Sequence, residues 1–144
     1  MGGATIDNTV MQSTVTGKDL LYQVNQSFTP HYSSSKDKLW TSDNAIFNIW
    51  MCDNDVLLGL NEPNPDQVVS DLMHSYWDVA VAQLYNEGAR KFFFVNTPAQ
   101  DRSPLVALGN KDDIPKYLTL KWKLNDAIYA RMNEFQANHT DVSS

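Results

Sequence analysis

The stretch Ala45-Ile46-Phe47-Asn48-Ile49-Trp50-Met51, followed directly by Cys52-Asp53-Asn54-Asp55, decides the fold. Its nearly continuous apolar run is rich in aromatic and β-branched residues and too short for a core helix, so it predicts a buried β-strand. A second such run, Phe92-Phe93-Phe94-Val95 within Lys91 to Asn96, predicts another. Between them lies a clear helix signal. Asn64 is placed to cap it, Pro65 occupies the first helical position, and Asp66 faces the positive end. The apolar positions Val69, Leu72, Met73, Tyr76, Val79, Ala80 and Leu84 follow at helical spacing, and Gly88 marks the expected stop.

Working outward, Leu20, Leu21, Val24 and Phe28 predict a helix from Gly17 to about Phe28, closed by Pro30. A last helix starts near Pro115 and carries Leu118, Trp122, Leu124, Ile128, Tyr129, Met132 and Phe135. Trp122 and Tyr129 share one side of it and are expected to face the core, as is the whole Phe92-Phe93-Phe94 run. The order helix, strand, helix, strand, helix indicates an α/β fold with a parallel sheet. Two strands are few for such a sheet, so the fold is expected to be incomplete.

The 144 residues suit one domain, residues 1–144, and neither repeat nor linker divides them. A 42% hydrophobic content supports a globular core rather than disorder. The net charge is -6 and Arg90-Lys91 is the longest basic cluster, which argues against a nucleic-acid partner. No apolar run approaches the roughly 18 residues of a membrane span. The start shows no secretory leader, so localisation stays open. Cys52 is a single cysteine, which excludes an internal disulfide. His31, His74 and His139 lack ligand spacing, and neither metal nor cofactor is expected. The sequons Asn25-Gln26-Ser27 and Asn138-His139-Thr140 are close to chance among so many asparagines.

Ligands of open parallel sheets bind beyond the carboxyl ends of the strands. Two segments lie there, residues 51–55 and residues 96–104. Trp50-Met51-Cys52-Asp53-Asn54-Asp55 resembles the W-x-G-x-N-D segment of SGNH (GDSL-type) ester hydrolases, and Gly2-Gly3-Ala4-Thr5-Ile6-Asp7-Asn8 resembles their G-G-A-T-V-D-N segment. Gln23-Val24-Asn25-Gln26, Trp40-Thr41-Ser42, the stretch from Leu84 to Phe92 and Asp101-Arg102-Ser103-Pro104 are similar to the fungal acetylesterase branch, the sixteenth carbohydrate-esterase family.

The resemblance, running from Gly2 to about Phe135, implies a three-layer α/β/α, flavodoxin-like fold and a serine mechanism acting on carbohydrate esters. In such chemistry a serine attacks, a histidine takes its proton, and preset donors hold the oxyanion. The resemblance makes the Asn54 amide one donor and a backbone N–H of Gly2 or Gly3, with Gly2 preferred, the other. Asp55 is expected to brace the loop. The G-D-S nucleophile block and its strand are absent from the 144 residues, and no D-x-x-H block follows the last helix. The chain is therefore expected to be an internal fragment, inactive alone, of a secreted parent. Partner strands could complete it; the alternative is a non-catalytic binding protein built on the decayed fold.

Cys52 stands where the family has glycine, adding a side chain beside the oxyanion pocket and straining the backbone if φ is positive. A passive, partly buried thiol is expected there rather than a reactive one. Ser103 sits in a turn-like sequence and is not expected to replace the nucleophile, and Asp53 with Asp55 is not expected to form an acid–base pair. His74 is expected to face solvent.

Overall fold

The computed structural model describes residues 3–13, 18–33, 38–104 and 109–143. Helix α1 (residues 20–33) opens as an α-helical turn at Leu20–Tyr22 and continues as a π-helical coil over Gln23–Ser33. Asp19 caps it, its carboxylate accepting the Tyr22 N–H at 2.7 Å. Pro30 does not close this helix but lies inside it. The wider π coil moves the carbonyl that a proline ring would strike in an α-helix, and the Ser33 hydroxyl donates to the Thr29 carbonyl at 2.6 Å.

Strand β1 is Phe47–Trp50 and runs into the short helix α2, Asp53–Leu58, which ends in a 3-10 turn at Gly59–Asn61. Helix α3 (residues 65–86) is α-helical at Pro65–Met73, π-helical at His74–Val81 and α-helical again at Ala82–Asn86. Its start is built as the sequence predicts, with Asn64 accepting the Gln67 N–H and Pro65 in the first turn. Gly88 ends it at φ 104°, a left-handed conformation that side chains disfavour. Strand β2 is Phe92–Val95, and helix α4, Asp113–Asn138, closes the order.

β1 and β2 pair in parallel, Phe47 opposite Phe92 and Trp50 opposite Val95. Ser143 returns along the free edge of β2. It forms a parallel bridge to Lys91, with the Phe92 N–H donating to the Ser143 carbonyl at 2.9 Å.

Strand alternation sends Phe47, Ile49, Phe92 and Phe94 to one face. There Phe47 meets Phe28 of α1, Phe94 meets Tyr76 and Trp77 of α3, and Phe92 meets Phe135 of α4. The opposite face carries Ile46, Trp50 and Phe93, which are 70%, 60% and 57% exposed. The described residues thus build a mixed α/β fold, with helices packed on one face of a two-stranded parallel sheet. The Phe92-Phe93-Phe94 run is core only at its first and third residues.

The core stripe of α4 also differs from expectation. Tyr117, Leu120, Lys121, Leu124, Asn125 and Ile128 are buried, whereas Trp122 and Tyr129 point to solvent. Spacing alone could not separate the two sides, because the buried side includes a lysine and an asparagine, each satisfied by a partner from another part of the chain.

Candidate functional site at the carboxyl end of the sheet

Residues 51–55 turn sharply from β1 into α2. Cys52 makes the turn, with φ 86° and ψ -16°. This left-handed conformation suits the glycine of the resembled motif and costs a residue with a Cβ about 1 kcal/mol or more. The thiol is fully buried in the hydrophobic core. Burial, with Asp55 and Asp53 nearby, pushes its pKa well above the ordinary thiol value, so it is an inert thiol.

The turn throws Asp53, Asn54 and Asp55 into the first turn of α2, where two segments converge on them. From one side comes the N-terminal segment. The Asn54 side-chain amide donates to the Ala4 carbonyl at 2.8 Å, and the Ile6 N–H donates to the Asp55 carboxylate at 3.0 Å. Gly3, at φ 84°, immediately precedes this contact. Gly2 lies outside the described residues. Ala4, Thr5, Ile6 and Asp7 are all buried. Asp7 anchors the segment from beneath, accepting the Thr9 N–H at 2.8 Å and the Ser75 hydroxyl at 2.7 Å. Burial raises the Asp7 pKa, but these hydrogen bonds outweigh it and hold the group below the ordinary value.

From the other side comes the loop after β2. Gln100 Nε2 donates to the Asp53 carboxylate. Lys121 of α4 pairs with Asp101 at 3.2 Å, the lysine side chain only 8% exposed. The Thr97 N–H donates to Asn125 Oδ1 at 3.0 Å, and the Tyr117 hydroxyl donates to the Pro98 carbonyl at 3.0 Å. The predicted juxtaposition of residues 51–55 with the 96–104 loop is therefore real, and α4 fixes it.

Charge is confined unfavourably here. Burial raises the Asp55 pKa to about 6 and also raises that of Asp53. One oxygen of each carboxyl, Asp53 Oδ1 and Asp55 Oδ2, is buried with no hydrogen-bond partner, so the loss of water is only partly offset.

Ser103 Oγ is likewise buried and unpartnered. Two of the three histidines are engaged elsewhere: exposed His74 pairs with Asp78, and His139 bonds to the Phe135 carbonyl. Among the described residues no cluster of three or more His, Cys, Asp or Glu could hold a metal ion, and no helix is long and apolar enough to cross a membrane. Gln100, Lys121 and Asn125 were not legible as site supports. Asp7 and Asp101 stood in resembled motifs, but nothing in the sequence names Ser75 and Lys121 as their partners.

The chain is similar to an acetylesterase of Thermothelomyces thermophilus, 33% identical over 150 aligned positions that cover 99% of this chain. The match covers 48% of that protein, so the chain spans about half the length of this curated relative. No family model matches the chain, and no solved structure matches it either. The kinship is thus one of sequence, and it is to an esterase.

Proposed function

We propose that residues 1–144 form the oxyanion-hole part of an SGNH-type ester hydrolase acting on acetylated carbohydrates. The observation that carries this reading is the 2.8 Å bond between the Asn54 amide and the Ala4 carbonyl, one residue beyond Gly3, at the carboxyl end of β1. A side-chain amide has two N–H groups. Ala4 takes one, and in this reading the other, together with a backbone N–H of Gly2 or Gly3, receives the oxyanion of the tetrahedral intermediate. Asp55 is the brace that keeps these two segments in register. The relative's acetylesterase name supports the acyl-transfer class. The serine nucleophile and the histidine that activates it come, in this reading, from chain beyond these residues, and the 144 residues alone turn over no ester. The bare sheet face at Ile46, Trp50 and Phe93 is where the remaining layer docks.

A chimaera tests this. Residues 1–144 replace the matched half of the Thermothelomyces acetylesterase, and hydrolysis of p-nitrophenyl acetate is followed. The chimaera is expected to be active, and Asn54→Ala within it to lower kcat about 100- to 1,000-fold with little change in KM. An active chimaera indifferent to Asn54→Ala sinks the assignment of the donor.

A further inference from the structure

The sequon Asn138-His139-Thr140 occupies a distinctive place in the fold. Asn138 is the last residue of α4 and is exposed, His139 leaves the helix at φ -131° and ψ 80°, and exposed Thr140 follows in a turn. That turn is held firmly. The Val142 N–H donates to the His139 carbonyl at 3.0 Å, and Arg90 and Tyr85 both donate to Asp141, at 2.6 and 3.1 Å. Beside Asn138 the His139 ring stacks on Phe135 with 4.1 Å between centroids and meets Tyr85 edge-on at 4.4 Å. Arg90 covers Tyr85 at 3.9 Å. These rings and Asn138 line one groove of about 350 Å³, whose rim also carries Asn86, Arg131 and Glu134. An aromatic wall with a polar rim suits a pyranose ring, whose axial C–H faces are apolar and whose edge carries hydroxyls. The other sequon differs, because Asn25 lies half-buried within α1.

We propose that Asn138 is an N-glycosylation acceptor and that the innermost sugar of its glycan rests against the wall formed by Phe135, His139 and Tyr85. The donor is an oligosaccharide carried on a lipid pyrophosphate. The amide nitrogen of Asn138 forms a bond to the anomeric carbon, and the bond from that carbon to the pyrophosphate oxygen breaks. The lipid pyrophosphate leaves with the electron pair, and the amide proton passes to it. The inference uses the opposite end of α4 from Lys121 and none of the candidate site, and it rests on the hydrolase reading only for the secreted route that such a parent would take.

The full 144-residue chain is expressed in yeast behind a secretion leader, and secreted and cell-retained pools are both analysed. Peptide N-glycosidase in heavy-oxygen water marks glycosylated asparagines by mass. The peptide containing Asn138 is expected to be marked in wild type and unmarked in Thr140→Ala, with Asn25 unmarked in both. An unmarked Asn138 in both pools overturns the proposal. The packing half is read by trimming the glycan to one N-acetylglucosamine and comparing melts with and without it. His139→Ala keeps the sequon and removes part of the wall. The sugar is expected to raise the Tm of wild type by a few degrees and that of His139→Ala by less. Equal shifts, or a chain with no cooperative melt, overturn the packing.

Discussion

The carboxylate of Asp55 accepts the backbone N–H of Ile6 at 3.0 Å across 49 positions of sequence, inside a region where both residues are fully buried. This bond ties the N-terminal segment to the helix start that carries Asn54. It is made at a cost, because the same burial lifts the Asp55 pKa from 3.8 to about 6.

That cost predicts a pH dependence. A carboxyl whose folded pKa lies above its unfolded value is destabilising once the unfolded chain ionises. With Asp55 alone, stability is greatest below about pH 4, falls between about pH 4 and 6, and is flat above. At about 1.4 kcal/mol per pKa unit the loss is roughly 3 kcal/mol. Asp55→Asn keeps an acceptor oxygen for Ile6 and removes the charge. Urea unfolding of both proteins at pH 4 and pH 7 should show the variant gaining on wild type by a few kcal/mol as pH rises. A constant difference would refute the buried, charged carboxyl.

Cys52 sets conformational strain against packing. At an ordinary position glycine is less stable than alanine by roughly 0.5–1 kcal/mol. At φ 86° the order should invert. Both Cys52→Ala and Cys52→Gly lose buried thiol contacts, but the glycine relieves strain of about 1 kcal/mol. Chemical denaturation is expected to rank Cys52→Gly above Cys52→Ala. Native wild type should react with a thiol reagent only as fast as it unfolds.

The Lys121–Asp101 pair holds the loop after β2, with side chains 8% and 14% exposed. Removing the carboxylate leaves the Lys121 ammonium buried, a loss of about 3 kcal/mol or more, whereas Asp101 without Lys121 keeps Arg102 at 3.8 Å. Asp101→Asn is expected to lose about this much, Lys121→Met less, and the double change clearly less than the sum of the single changes. Additive losses in this cycle would show that the two groups do not interact.

Ile46, Trp50 and Phe93 leave an apolar sheet face in solvent. Such a face promotes association. Trp50→Ser with Phe93→Thr should leave the unfolding midpoint nearly unchanged while reducing dye binding and light scattering. A large fall in stability would mean that this face is packed.

Much of the frame was legible locally. Both strands announce themselves by short aromatic and β-branched runs. Helix α3 is written at both ends, by Asn64 and Pro65 at the start and by Gly88 at φ 104° at the stop. Helix α1 shows the limit of such signals, since Pro30 is carried through a π-helical coil instead of ending the helix. At the site, the pairing of residues 51–55 with the 96–104 loop could be anticipated from strand order, but its fasteners could not. The buried stripe of α4 was misjudged because Lys121 and Asn125 look like surface residues until Asp101 and Thr97 are seen against them.

The sequence by itself determined both strands and both ends of α3, because caps, left-handed glycines and strand propensity act over a few residues. It also carried the likeness to an esterase, since 33% identity to an acetylesterase is read in the residues themselves. Only the tertiary structure decided which side of α4 is core, which sheet face stays bare, and that Asn54 meets Ala4 and Asp55 meets Ile6. Those outcomes depend on hydrogen bonds and burial between residues some 20 to 50 positions apart. A polar group is stable inside only when folding delivers its partner.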